Sequence, residues 1–205
     1  MNEKKRQIVR RGNRVEWDSM STRKILRRRE FGDPILRAEA RELSRQNILS
    51  KQTKQLIADM RYTLAKKKYG VGLAAPQVGQ SIALAIIEIK STKTRPRLPK
   101  HKWASLALIN PKIVRFYGQR QQLYEGCISF AEAFAKVPRY KKIRVRYFDE
   151  KAKTHEKNFD GLLAHVIQHE IDHLNGVLFV DRVKDKASFI TQSEYIKRMA
   201  KAKKE

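Results

Sequence analysis

Gln168-His169-Glu170-Ile171-Asp172-His173-Leu174 carries the pattern H-E-x-x-H, two imidazoles four residues apart with a glutamate directly after the first. On a helix, residues four apart lie one above the other, so His169 and His173 can grip one metal ion. Glu170 points just off that face, within reach of a water on the metal, where it can act as a general base. Leu162, Leu163, Val166, Ile167, Ile171 and Leu174 recur at near-helical spacing, and Asn175-Gly176 supplies a left-handed stop. The stretch therefore predicts an amphipathic helix with a metal site on it. Three fixed positions in five also occur by chance on surface helices, so the reading depends on a third ligand.

Two hundred and five residues suit one domain with tails, and 41% hydrophobic content supports a globular core. Lys and Arg total 46 against 21 Asp and Glu, a net charge of +25 that exceeds what solubility requires. A polyanionic partner such as RNA is the natural explanation; an anionic membrane surface is the second, and a basic composition throughout the lineage is the bland one. The single cysteine, Cys127, forbids an intramolecular disulfide and suits a reducing compartment. No apolar run is long enough to span a membrane, and the N-terminus lacks the apolar core of a signal peptide.

Residues 1–30 hold eleven Lys or Arg against Glu3, Glu16, Asp18 and Glu30, and read as a flexible basic arm. Phe31-Gly32-Asp33-Pro34 signals a turn, and Ile35-Leu36 begins the folded part. Leu56, Ile57, Met60, Leu64 and Ala65 mark one face of a helix over about 51–67. Residues 81–89 read as a largely buried strand, and 90–102 as an exposed basic loop. Shorter strands are expected at 106–117 (interrupted at Asn110-Pro111), around 123–129, and at 143–148, 154–159 and 177–180. A basic C-terminal helix is expected over 188–204. Short antiparallel strands packed around one motif-bearing helix, with a second helix at the C-terminus, make the expected class α+β.

Three sources of a third ligand compete. A metzincin would continue to a third histidine, but the position after Gly176 in that spacing is Phe179. A thermolysin-like enzyme would use a downstream carboxylate, for which Glu194 or Asp181 stands at a tolerable distance. Upstream, Cys127 follows Glu125-Gly126, where the glycine lets a metal or substrate approach the backbone. The glycines of 70–79 form no phosphate loop, lacking both G-K-[ST] and the third dinucleotide glycine.

G-V-G-L-A-A-P-Q at 70–77, E-G-C-I-S at 125–129 and Q-H-E-I-D-H at 168–173 resemble, in order, the three signature motifs of the peptide deformylase family. The resemblance covers about 31–183, leaving the 1–30 arm and a basic 184–205 tail outside, and Ile128 stands where the family often has leucine. It implies a hydrolase that removes the formyl group from the N-terminal formylmethionine of nascent polypeptides. Cys127, His169 and His173 would hold the metal, and hydroxide formed there would attack the formyl carbon with Glu170 as base and then acid. Gln77 and the Ile128 N–H would stabilise the formyl oxygen, while Gly72, Val71 and Gly126 would bind the peptide. Val71, Ile128 and Val166 or His165 would frame the methionine pocket. His165 reads as a pocket or solvent residue rather than a fourth ligand, and His101 and His155 as ordinary surface histidines. The family's metal is ferrous iron, with zinc, nickel or cobalt in purified samples. A monomer in a bacterial cytoplasm is expected, with an organelle second, touching ribosomal RNA through the arm, the 90–102 loop and the Lys-rich C-terminus.

Overall fold

The computed structural model describes residues 9–11, 14–16, 23–67, 70–89 and 105–201. The 90–102 loop and most of the 1–22 stretch lie outside these residues. Within that stretch, β1 (Val9–Arg11) and β2 (Arg14–Glu16) pair as an antiparallel ladder. The chain is tied to the domain before residue 31. Lys24 N–H donates to Asp59 Oδ1, Leu26 N–H to Thr63 Oγ1 and Arg29 N–H to the Gln77 carbonyl.

A one-turn helix α1 (Arg45–Ile48) leads into α2 (Lys51–Ala65). Ser50 caps α2 by accepting the Thr53 N–H, satisfying one of the donors a helix N-terminus leaves open. Ile57, Met60 and Leu64 are buried as the pattern predicts, while Ala65 at the last turn is exposed. The sheet then follows as β3 (Gly72–Ala74), β4 (Leu84–Glu88), β5 (Ser105–Cys127), β6 (Phe130–Phe148) and β7 (Thr154–Asp160), paired antiparallel in that order. Helix α3 (Gly161–Leu174), the single turn α4 (Phe179–Arg182), the two-residue β8 (Ile190–Thr191) and α5 (Gln192–Lys201) complete the described residues.

Strand β4 explains the layering. Leu84 and Ile86 join Ile57, Met60 and Leu64 of α2, whereas Ile87 joins Ile167 and Ile171 of α3. Side chains alternate across a strand, so a continuous apolar run implies packing on both faces. The α+β expectation holds, with α3 at the centre, and no helix among the described residues is long and apolar enough to cross a membrane.

Three local expectations differ from the structure. The separate strands at 106–117 and 123–129 are one bulged strand, β5, because β6 pairs with it over nearly its whole length. Asn110 does not break it. At φ 49° it sits at a register shift and clamps Leu43, accepting that residue's N–H (2.9 Å) and donating to its carbonyl (2.8 Å). Residues 177–180 form no strand. Asp181 accepts the Leu178 N–H at 2.8 Å and closes the turn of α4, where Phe179 is buried. The C-terminal helix starts at Gln192 rather than at 188, because Ile190 and Thr191 first pair with Phe134 and Ala133 of β6.

Candidate active site

Helix α3 stops at Gly176, whose φ of +69° suits glycine and where a Cβ would lie 2.7 Å from the Arg37 carbonyl carbon. This stop and the packing of Ile167 and Ile171 fix the rotation of the helix. His169 and His173 then face Cys127 at the end of β5, and Glu170 faces Gly72 at the start of β3. Cys127 arrives as the last residue of β5. The ligand atoms of Cys127, His169 and His173 lie within 4.8 Å of one another, the one such group found among the described residues. Cys127 Sγ is 3.2 Å from His173 Nε2.

The other ring nitrogen of His169, Nδ1, lies 2.8 Å from Glu125 Oε2, which leaves Nε2 for the site. Glu125 is itself held. Arg139 donates to both its oxygens (2.7 and 3.0 Å), and His165 Nε2 lies 2.6 Å from Oε1. Arg139 also pairs with Asp172, and Asp172 accepts two hydrogen bonds from Arg182, at 3.1 and 2.8 Å. Arg139, Glu125 and Asp172 are almost fully buried, so this network is a rigid frame behind His169.

The electrostatics follow from this packing. Burial would raise Glu125, yet the close His165 imidazole and the hydrogen bonds from His169 and Arg139 hold its carboxyl well below the usual range. Burial would likewise raise the Cys127 thiol, but the His173 and His169 imidazoles hold it well below its ordinary value. A buried thiolate needs positive charge against it, from imidazolium or from a bound cation, and one thiolate with two imidazoles is a donor set suited to a divalent transition metal. Glu170 behaves oppositely. Burial pushes it up to about 7 although both histidines pull it down, and its Oε2 has no hydrogen-bond partner among the described residues. An unpartnered carboxylate oxygen beside three ligand atoms is oriented for something the chain does not supply.

Gln77, 1% exposed, accepts the Ala74 N–H with Oε1 (2.8 Å) and points Nε2 at Cys127 Sγ and Ser129 Oγ, both at 3.3 Å. Gly72 begins β3 with its open face against Glu170, where a Cβ would lie 2.6 Å from the carboxyl carbon. Gly126 lies against Phe134 in the same way, a Cβ there falling 2.6 Å from the ring. Val71, Gly72, Gly126, Ile128, Val166 and His165 all line one cleft of about 920 Å³ that reaches Cys127, His169 and Glu170.

The rival carboxylates stand elsewhere. Glu194 pairs with Arg198 on α5, and Asp181 pairs with Arg37. His155 stacks on Tyr147 and meets Asp149 at 2.7 Å, and His101 lies outside the described residues. Sequence reasoning missed Arg139, Asp172 and Arg182, and took Glu125 only as a neighbour of Cys127. Asp172, one residue before His173, was the available signal. Arg139 had none, being one of 46 basic residues.

Residues 25–189 match the sequence model of the polypeptide deformylase family. Peptide deformylase 2 of Nostoc sp. is 38% identical over 166 residues, covering 81% of this chain and 90% of its own. Among solved structures, the Met-Ala-Ser-bound class I type b peptide deformylase of Acinetobacter baumannii is similar at a TM-score of 0.74 and 31% identity, covering 79% of this chain and 100% of that one. The actinonin complex of the Synechococcus elongatus peptide deformylase is similar at 0.67 and 40% identity, covering 80% and 81%. With the three motifs gathered at one cleft and relatives alike over most of its length, the chain belongs to the polypeptide deformylase family, metal-dependent hydrolases that remove the N-formyl group from nascent polypeptides.

Proposed function

We propose that Cys127, His169 and His173 hold one divalent cation and that Glu170 is the acid–base group of this deformylation. The convergence of the three ligand atoms beside a buried, unpartnered carboxylate carries the reading. When bound, the cation supplies Lewis acidity and a water whose pKa falls toward about 7.

The chain's own residues do the remaining work. Glu170, raised to about 7 by burial, is matched to taking a proton near neutrality and returning it to the departing amine. Gln77 Nε2, fixed through its own Oε1, and the Ile128 N–H donate to the formyl oxygen as charge builds there. Loss of one such donor costs about 3 kcal/mol of barrier. The backbone of Val71, Gly72 and Gly126 pairs with the substrate as an added strand, and Ile128, Val166 and His165 frame the methionine side chain. The frame behind His169 keeps its Nε2 aimed without spending substrate binding energy on the task.

Ferrous iron is the physiological ion in this reading, with zinc, nickel or cobalt taking its place in purified protein. Thiolate ligation then brings sensitivity to oxygen. The protein works as a monomer in a bacterial cytoplasm. Its +25 charge serves contact with ribosomal RNA, for which exposed Arg115, Arg120 and Lys142 on β5 and β6 add to the basic segments at either end.

The test is formate release from formyl-Met-Ala-Ser by anaerobically prepared protein, with Glu170→Ala and Cys127→Ala alongside. Glu170→Ala should abolish release while keeping the metal, and Cys127→Ala should lose the metal. Release by Glu170→Ala within tenfold of the parent, or full metal content in Cys127→Ala, would overturn the assignment. The ribosomal contact predicts co-sedimentation that weakens steeply with salt; co-sedimentation indifferent to moderate salt refutes it.

A further inference from the structure

We propose that residues 24–31 form a strap that positions the two oxyanion donors, with the Arg29 and Phe31 backbone as its positioning groups. The proposal rests on the reading of Gln77 Nε2 and the Ile128 N–H as those donors. The two come from separate loops. Gln77 belongs to the short helical turn Ala75–Val78, and Ile128 to the two-residue connection between β5 and β6, where Cys127 pairs with Phe130. Charge on the formyl oxygen is stabilised most when both donors are already aimed at one place, so the gap between the loops has to be fixed.

The strap supplies that link through its backbone. Arg29 N–H donates to the Gln77 carbonyl and Phe31 N–H to the Ser129 carbonyl, both at 2.7 Å. Alternate N–H groups of an extended chain point the same way about 6.6 Å apart, so one short stretch staples two loops at a set spacing. Both stapled residues are buried and carry site atoms. Gln77 Nε2 lies 3.3 Å from Ser129 Oγ, and Ser129 N–H donates to Cys127 Sγ at 3.4 Å. The Phe31 ring meets Phe130, the residue after Ser129, edge-on at 4.8 Å. The Arg29 side chain lies along Gly79, where a Cβ would fall 2.8 Å from its Nε, so the strap also closes over the end of the Gln77 turn.

The other end of the strap is anchored on α2. Lys24 N–H donates to Asp59 Oδ1 at 2.8 Å and Leu26 N–H to Thr63 Oγ1 at 2.9 Å. Asp59 and Thr63, about one helical turn apart, are both buried, and Leu26 packs on the core that holds Ile57, Met60 and Leu64. The strap therefore fixes both donor loops relative to α2. The metal ligands do not depend on it, because His169 is framed separately by Glu125 and Arg139. Loosening the strap should slow the chemical step and leave the metal in place.

The experiment measures formate release from formyl-Met-Ala-Ser by the whole chain loaded with iron or nickel. Arg29→Pro removes the N–H that bonds Gln77 and should lower kcat about 10- to 100-fold, with KM within about threefold of the parent and metal content unchanged. Arg29→Ala, which keeps the N–H, is the conservative rescue and should recover kcat to within about threefold. Glu30→Pro places the same ring where neither bond is made and should match the parent as closely. In a Gln77→Ala background, itself about 100-fold slower or more, Arg29→Pro should cost less than about threefold further, because the donor it positions is gone. In the parent, the Arg29 and Phe31 amides should exchange with deuterium about tenfold more slowly than the Glu30 amide, after correction for intrinsic rates, a readout independent of any variant's folding. Parental kcat in Arg29→Pro, an equal fold-loss with and without Gln77, or equal protection at 29, 30 and 31 overturns the strap and leaves deformylation standing. Parental kcat in Gln77→Ala overturns the oxyanion reading and the strap with it.

Discussion

Substituting Gly72 by alanine should separate catalysis from stability at a single methyl group. A Cβ built on Gly72 lies 2.6 Å from the Glu170 carboxyl carbon and 2.8 Å from its Cγ, and closer still to Oε1. Ordinary contact between such atoms begins near 3.4 Å, so the carboxylate must retreat by about 0.8 Å or more. Gly72 does not have a positive φ, so alanine fits the backbone, and a strand interior gains from losing a glycine. The fold should therefore survive, its melting temperature lowered by about 2–12 °C for an overpacking cost of about 1–3 kcal/mol. Glu170 cannot yield without cost, because it is 3% exposed on a helix whose next turn carries His173. Displacing a catalytic group by about 1 Å costs on the order of 100-fold in rate. The expected outcome is a loss of about 100-fold in kcat for formyl-Met-Ala-Ser, with metal content unchanged. Combining it with Glu170→Ala should cost nothing further, since the alanine methyl then meets empty space. Gly72→Ala with parental kcat, or a Gly72→Ala/Glu170→Ala enzyme much slower than Glu170→Ala alone, would refute the packing argument.

Arg139→Met should destabilise the fold by about 3–5 kcal/mol, because it strands Glu125 and Asp172 as buried carboxylates without their shared cation; urea unfolding with an unchanged slope measures it. Glu125→Gln should weaken metal affinity about 10–100-fold through His169, read by competition with a chelator. Asn110→Ala removes both hydrogen bonds to Leu43 and the residue best suited to φ 49°, and should cost about 2–3 kcal/mol with kcat intact. Asp181 supplies a pH test. Burial opposes its ionisation, but the bonds from Arg37 and the Leu178 N–H outweigh this and hold its pKa below the ordinary value. A depressed folded pKa gives stability that is present above the unfolded value near 4 and is lost as pH falls through the folded one. The stability gap between the parent and Asp181→Asn should thus be open at pH 7 and close in acid; a gap that widens below pH 4 would contradict the pairing.

What could be read in the chain divides along a physical line. Apolar periodicity located α2, α3 and β4, because burial of one helix face or of both strand faces is written into consecutive residues. The lengths of β5 and β6 were not visible. Much of 114–122 is exposed and lacks alternation, so only the pairing partner reveals the strand. The apolar residues 177–180 carry the composition of a strand, and the turn there depends on a carboxylate at Asp181 that the pattern ignores. The site divides in the same way. His169, Glu170 and His173 could be named because ligand chemistry restricts residue type at fixed spacing, whereas Cys127 was singled out from its rivals by the resemblance of 125–129 to a family motif. Their supports could not, because Arg139 meets Glu125 and Asp172 from 14 and 33 residues away, and nothing local distinguishes it from the other basic residues. Gly72 sits between these cases. A glycine in a close-approach loop was expected to admit substrate, and the space it leaves is filled first by the Glu170 carboxylate. The missing side chain thus makes room for the proposed acid–base group as well as for the proposed substrate backbone. The same residue can serve both, because the peptide backbone would reach β3 along its edge while Glu170 occupies the face above it.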